Sequence, residues 1–132
     1  MNFLKNIFKE TSSNTSETSK EEQKFFTLDK MEQFDEMDEI SATKSIVIFK
    51  HSTRCSISRM ALKQFEAAFN YPEDKIVWYL LDLLNHRDLS NEIADRYKVT
   101  HQSPQILVIQ NGKAVFNASH DSIAAEDLKQ FT

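Results

Sequence analysis

The sequence contains one cysteine, one glycine and two prolines among 132 residues. One cysteine cannot form an internal disulfide or a multi-cysteine metal cage, and so sparse a use of cysteine favours the reducing cytosol. One glycine excludes a glycine-rich phosphate-binding loop. No basic stretch stands out against the formal net charge of −4, so we expect no nucleic-acid partner. The length fits one ordinary domain and excludes a multidomain enzyme.

The first 24 residues differ in composition from the rest. Residues 1–10 carry apolar side chains at helical spacing, but lysines interrupt them before a signal-peptide core can form. Residues 11–19 include seven Ser or Thr residues and no apolar side chain, so they cannot bury surface to offset chain entropy. We therefore expect a flexible leader and a Ser/Thr-rich linker over 1–24, a folded domain over 25–132, no membrane span and a cytoplasmic location.

Helix and strand patterns alternate along the folded part. Apolar residues at helical spacing predict helices at residues 30–40, 56–70, 89–99 and 122–131. Runs rich in β-branched and aromatic residues predict strands at residues 45–51, 76–84, 105–110 and 113–119. The last two strands are separated by Asn111-Gly112, a strong signal for a tight hairpin turn. This order predicts an α/β fold, with a mixed four-stranded sheet covered by helices on both faces.

The single thiol, Cys55, lies between a predicted strand and a predicted helix. Unpaired backbone N–H groups and the positive end of the helix dipole favour the thiolate at such a position. Arg54 adds a neighbouring positive charge, and the hydroxyls of Ser56 and Ser58 can donate hydrogen bonds to the sulfur. His51, at the end of the strand, is a further candidate for electrostatic support. These features favour a reactive nucleophile over the alternative, an inert and buried cysteine.

Other cysteine chemistries fit less well. A tyrosine-phosphatase loop needs an arginine six residues after the cysteine, where this chain has Ala61. No His and Asn pair is placed to suggest a cysteine protease. The four histidines are scattered without ligand spacing, so we expect no metal site.

Ser103-Pro104 directly precedes a predicted strand. Proline is compatible with the first residue of a strand, and an X-Pro bond has only a small preference for trans. Taken alone, the sequence favours a trans proline there and leaves cis open.

Together these features resemble the thioredoxin fold over nearly all of residues 25–132. In that family the proline is cis and faces the cysteine, and the residue before it offers backbone hydrogen bonds to a bound thiol substrate. The resemblance places those roles on Pro104 and Ser103. Thioredoxins have C-x-x-C where this chain has Cys55-Ser-Ile-Ser58, so a resolving cysteine is missing. An external thiol must therefore release any mixed disulfide formed at Cys55.

Four segments in order resemble the monothiol bacilliredoxins. They are IFKHSTRCSIS at 48–58, NHRDLS at 85–90, HQSPQ at 101–105 and SHDSI at 119–123. Family members often have T-C-P-I-S at the cysteine, and Arg54 and Ser56 replace two of those residues here.

The resemblance implies a thiol-disulfide oxidoreductase that removes bacillithiol from protein mixed disulfides. Cys55 would attack the bacillithiol sulfur and carry bacillithiol until a second bacillithiol molecule reduces it. The implied partners are bacillithiolated proteins and a low-molecular-weight thiol, with bacillithiol as co-substrate and no tightly bound cofactor. Arg54, Arg59 and His101 are candidates to attract the carboxylate-rich malyl group of bacillithiol. The oligomeric state is left open, with a monomer as the expectation.

Two other functions remain open. One is an iron-sulfur carrier similar to the monothiol glutaredoxins, although those proteins have C-G-F-S and this chain has Ser56-Ile57 in place of Gly-Phe. The other is a non-catalytic thiol sensor or adaptor that docks through the acidic first helix or the N-terminal leader.

Overall fold

The computed structural model describes residues 25–132, so the predicted leader and linker lie outside the described residues. The described part contains five strands: β1 Phe26–Thr27, β2 Ser45–His51, β3 Ile76–Asp82, β4 Gln105–Gln110 and β5 Lys113–Ser119. Its α-helices are α1 Gln33–Ile40, α2 Ser56–Ala68 and α3 Arg87–Tyr97. Two 3₁₀ helices, His120–Ser122 and Ala125–Phe131, follow the last strand.

The strands form one mixed sheet in the order β1-β3-β2-β4-β5. β1 and β2 run parallel to β3, whereas β4 runs antiparallel to both β2 and β5. The mixed sheet was predicted correctly, but the predicted number of four strands was wrong. The additional strand, β1, pairs only Phe26 and Thr27 with β3. Two residues are too few to show an alternating pattern, so this strand could not be recognised from sequence.

Helices cover both faces of the sheet, as predicted. On one face, α1 and α3 pack against the sheet through Phe34, Met37, Leu89, Ile93 and Tyr97. On the other face, α2 and the last 3₁₀ helix contribute Phe65, Ala125 and Leu128 to a core around Trp78. All seven residues of β2 are buried, which explains why this central strand reads as a nearly continuous apolar run.

The ends of the elements differ from prediction by a few residues, and the closing helix differs in type. It is a 3₁₀ helix over Ala125–Phe131, in which the two buried residues, Ala125 and Leu128, lie three apart. That spacing matches one 3₁₀ turn. The predicted tight turn is confirmed: Asn111 and Gly112 have φ of 53° and 75°, the left-handed values that a two-residue hairpin loop of this type requires.

The sheet brings the sequence-predicted site residues to one edge. β2 and β3 are parallel and pair His51 with Asp82, so their carboxyl ends lie together. β4 is antiparallel to β2 and pairs Gln105 with Lys50. The residue before Gln105, Pro104, therefore lies beside the end of β2. We call this region, where β2 and β3 end and β4 begins, the carboxyl edge.

Candidate functional site

Cys55 is the N-cap residue of α2, as the sequence predicts. Its backbone is extended, and its carbonyl accepts the first helical hydrogen bond from the N–H of Arg59 at 3.0 Å. Its side chain makes no capping hydrogen bond and is partly exposed. The sulfur thus lies beside the positive end of a 13-residue helix and remains open to a substrate.

The loop from β2 to Cys55 is held by hydrogen bonds of its own backbone. The N–H of Cys55 donates to the carbonyl of Ser52 at 3.2 Å, which closes a turn just before the helix. The Arg59 guanidinium reaches back from α2 and donates to the carbonyl of Thr53 at 3.0 Å. These contacts fix the position of Cys55 relative to the sheet. They also occupy Arg59, which the sequence suggested for attracting the malyl group.

Ser58 lies below the cysteine loop and contacts His51. Its side chain is fully buried, and its hydroxyl shares a 2.7 Å hydrogen bond with His51 Nδ1. The N–H of Ser52 donates to the same hydroxyl at 3.0 Å. Among the described residues, no hydrogen bond joins Ser56 or Ser58 to the sulfur, so the expected donation from these hydroxyls is not formed. Ser58 instead holds the end of β2 to the first turn of α2.

His51 is buried, and this determines its charge. Burial lowers the pKa of His51 below its usual value of 6.5, the carboxylate of Asp82 opposes this shift, and Arg59 adds to it. The imidazole is therefore mainly neutral at pH 7. A neutral imidazole carries no positive charge that could stabilise the Cys55 thiolate, so the electrostatic support expected from His51 is weak. The clearest contact of His51 is its hydrogen bond to Ser58.

Arg54 and Ser56 flank Cys55, and both side chains are exposed. Both are accessible to a bound thiol, and their roles in binding one stay predictions.

Ser103 and Pro104 lie at the carboxyl edge, joined by a cis peptide bond. The carbonyl of Pro104 accepts a hydrogen bond from the N–H of His120 at 3.0 Å, which ties the proline to the end of β5. Ser103 Oγ is buried and has no hydrogen-bond partner in the described part of the chain, and the same holds for Asp82 Oδ1. Trp78 Nε1, in the core, is the third such atom of the described residues, so two of the three lie at the carboxyl edge.

A buried lysine, which the sequence patterns did not single out, lies next to the site. Lys50 is fully buried, and Nζ donates to His101 Nδ1 at 2.7 Å and to Gln105 Oε1 at 3.0 Å. Gln105 Oε1 also accepts from the N–H of Gln102 at 3.2 Å, and Gln105 Nε2 donates to the carbonyl of Thr100 at 3.1 Å. Lys50 and Gln105 thus hold the segment that leads to Ser103-Pro104. A charged residue inside an apolar strand run was the available signal, because a buried lysine needs polar partners.

This cluster also sets the charge of its members. Burial lowers the pKa of Lys50 from 10.5 to about 8. Burial also lowers the pKa of His101, and the nearby charges of Lys50 and Arg87 lower it further. His101 is therefore mainly neutral at pH 7, with Nδ1 accepting from Lys50 and Nε2–H left as a donor. It is placed to donate a hydrogen bond rather than to act as the cation that the sequence suggested.

Among residues 25–132, no three or more His, Cys, Asp or Glu side chains are grouped so that they could hold a metal ion. No helix in the same range has the length and apolar character needed to cross a membrane.

Comparisons with known proteins agree with this arrangement. A family model described as monothiol bacilliredoxin BrxC matches residues 26–128. A solved structure of a proposed oxidoreductase with a thioredoxin fold is 36% identical, with a TM-score of 0.68 over 81% of this chain and 92% of that one. The reduced thioredoxin pre-protein of Schistosoma mansoni has 23% identity and a TM-score of 0.63, over 83% of this chain and 100% of its own. The Malassezia sympodialis thioredoxin Mala s 13 has 19% identity and a TM-score of 0.63, over 80% of this chain and 85% of its own. The two thioredoxins support the fold alone.

Proposed function

Because the chain belongs to the monothiol bacilliredoxin family, we propose that it removes bacillithiol from protein mixed disulfides through exchange at Cys55. The family and the thioredoxin fold support a thiol redox role. The observation that carries the finer proposal is the placement of a partly exposed Cys55 at the start of α2, at the same edge of the sheet as Ser103-Pro104.

In the first step the Cys55 thiolate attacks the bacillithiol sulfur of a protein mixed disulfide. A new S–S bond forms between Cys55 and bacillithiol, the old S–S bond breaks, and the protein sulfur leaves as a thiolate that takes a proton from solvent. The N–H groups at the start of α2 favour the ionised sulfur before attack. The target protein is reduced, and the oxidising equivalent now resides on Cys55.

The second step requires an external thiol. The serine at position 58 cannot attack the mixed disulfide, and no second cysteine exists in the chain. A second bacillithiol thiolate attacks the carried bacillithiol sulfur, forms bacillithiol disulfide and releases the Cys55 thiolate. The net reaction converts one protein mixed disulfide and one free bacillithiol into a protein thiol and bacillithiol disulfide, so one disulfide bond replaces another and the electrons balance.

Contacts around Cys55 suit a protein substrate. The side chains of Ile57 and Met60, on the first turns of α2, are 60% and 63% exposed and offer an apolar surface beside the sulfur. The Ser103 backbone offers hydrogen bonds to an extended segment that carries the mixed disulfide. Pro104 limits how close that segment can approach.

The test compares wild-type protein with Cys55→Ser on a bacillithiolated protein, with mass spectrometry of both proteins over time. We expect the wild type to release bacillithiol and to carry one bacillithiol on Cys55 until free bacillithiol is added. Cys55→Ser should do neither. Lys63→Gln, at an exposed position of α2 outside this surface, keeps the thiol; it is the control for general effects of substitution and should still form the Cys55 adduct. Equal release by wild type and Cys55→Ser would refute the proposal.

A further inference from the structure

A cleft of about 460 Å³ adjoins the cysteine loop. Its lining consists of Thr53, Arg54, Leu84, Asn85 and Arg87. Two of these five residues are arginines, and none carries a carboxylate. Both arginines are exposed, and within residues 25–132 neither forms an ion pair with an acidic side chain. In a chain with a net charge of −4, this is a local concentration of uncompensated positive charge.

The cleft is next to the reacting atom. Arg54 directly precedes Cys55, and adjacent Cα atoms are about 3.8 Å apart. Arg87 also lines the cleft and is the first residue of α3, so the positive end of this 11-residue helix adjoins the same region. The N-cap of α3, His86, makes no side-chain capping hydrogen bond. A small thiol bonded to Cys55 would thus have the cleft within reach of its other end.

Two acidic residues close in sequence to the lining residues, Asp82 and Asp88, form no ion pair with either arginine within residues 25–132. Asp82 Oδ2 accepts a hydrogen bond from Asn85 Nδ2 at 2.7 Å, and its other oxygen is buried. Asp88 follows Arg87 in the first turn of α3, where its charge interacts with the helix dipole. The segment NHRDLS, which contains Arg87, contributed to the family resemblance but has no part in the exchange chemistry derived above.

We propose that Arg54 and Arg87 form a binding site for the carboxylate groups of the small thiol that is carried on Cys55. This inference rests on the proposed function and specifies how the co-substrate is recognised. Guanidinium groups donate paired, charge-assisted hydrogen bonds to carboxylates, so two of them suit a thiol with two carboxylates. A volume of about 460 Å³ accommodates such a molecule. A thiol without carboxylates would leave both arginines unpaired.

The kinetic test compares two mixed disulfides of the same target protein. One carries bacillithiol and the other carries 2-mercaptoethanol. Arg54→Gln and Arg87→Gln should each raise KM for the bacillithiolated protein about tenfold, because each loses a charge-assisted contact. The KM for the mercaptoethanol adduct should stay within about twofold. Lys63→Gln, which removes an exposed cation of α2 outside the cleft, is the charge-matched control and should behave as wild type. Equal KM changes on both substrates, or none, would overturn the inference.

A binding measurement separates this inference from the proposed function. Malate is titrated into the wild type and into the Arg54→Gln/Arg87→Gln double variant, and amide shifts are followed by NMR. We expect wild-type shifts at residues 53–54 and 85–87, and at least a tenfold weaker Kd in the double variant. This result does not depend on turnover, so it would stand even if exchange were absent. Amide shifts only at other residues, or the same Kd for both proteins, would refute the carboxylate site. Neither result would bear on the proposed exchange at Cys55.

Discussion

Replacing Lys50 with methionine should change how the stability of the protein depends on pH. Methionine matches the length of the buried side chain but carries no charge. The wild-type lysine has a pKa of about 8 in the folded protein and 10.5 as its ordinary value. Between these values the unfolded chain holds a proton that the folded chain has lost. Raising the pH through this range therefore favours the folded state of the wild type.

The size of the effect follows from the two pKa values. The difference between them corresponds to about 3 kcal/mol of unfolding free energy, because a shift of one pKa unit is worth about 1.4 kcal/mol. Most of this, about 2.5 kcal/mol, should be gained between pH 7 and pH 10. The burial penalty is fully present below pH 8 and disappears above pH 10.5. Lys50→Met has no such titration. The free energy of unfolding of the wild type should therefore rise relative to that of the variant as the pH increases.

Urea unfolding at several pH values between 7 and 10 measures this difference directly. Tyr71, Tyr79 and Tyr97 also have raised pKa values, but they are present in both proteins and cancel in the comparison. Lys63→Met, at an exposed position on α2, is the matched control and should follow the wild-type profile. Wild-type and Lys50→Met profiles that run parallel would show that Lys50 is not desolvated, and the reasoning about the buried cluster would fail.

Three further changes test other parts of the structure. Ser58→Cys should supply an internal resolving thiol, so that bacillithiol leaves Cys55 without a second thiol; mass spectrometry showing a persistent adduct would contradict this. Leu128→Ala should lower the free energy of unfolding by about 2–5 kcal/mol, because the side chain is fully buried in the last 3₁₀ helix. A loss below about 1 kcal/mol in urea would contradict that packing. His51 has a lowered pKa, so unfolding should become easier as the pH falls from 7 to 5. His51→Asn should flatten this profile, and an unchanged slope would argue against a buried neutral imidazole.

The elements that sequence predicted well are those whose signal is local. β2 and β3 are apolar runs because they lie in the centre of the sheet, and the Asn111-Gly112 turn requires left-handed backbone at two successive residues. β1 could not be predicted, because its two residues are strand only through pairing with β3. The position of Cys55 at the start of a helix could also be predicted, because a strand pattern ends before it and a helix pattern begins after it.

The partners of each side chain were harder to predict, because they depend on which residues face each other across elements. Ser56 and Ser58 both follow Cys55, and sequence alone could not distinguish the exposed hydroxyl from the buried one. The structure turns Ser58 inward to His51, seven residues away, since the end of β2 lies under the first turn of α2. Lys50 and His101 are 51 residues apart and meet only because β4 returns alongside β2.

The distribution of unsatisfied groups gives an independent reason to place function at the carboxyl edge. A fold selected only for stability would satisfy its buried polar atoms and would not place unpaired like charges together. Within the described residues, two of the three buried side-chain atoms without a hydrogen-bond partner, Asp82 Oδ1 and Ser103 Oγ, lie at the carboxyl edge. Beside that edge, the guanidinium groups of Arg54 and Arg87 form no ion pair. Arg96, on α3, differs from these two arginines: it pairs with Asp38 at 2.8 Å and Glu92 at 3.0 Å and lies over the Phe34 ring. The contrast between these two regions is what a site that awaits an anionic thiol would produce.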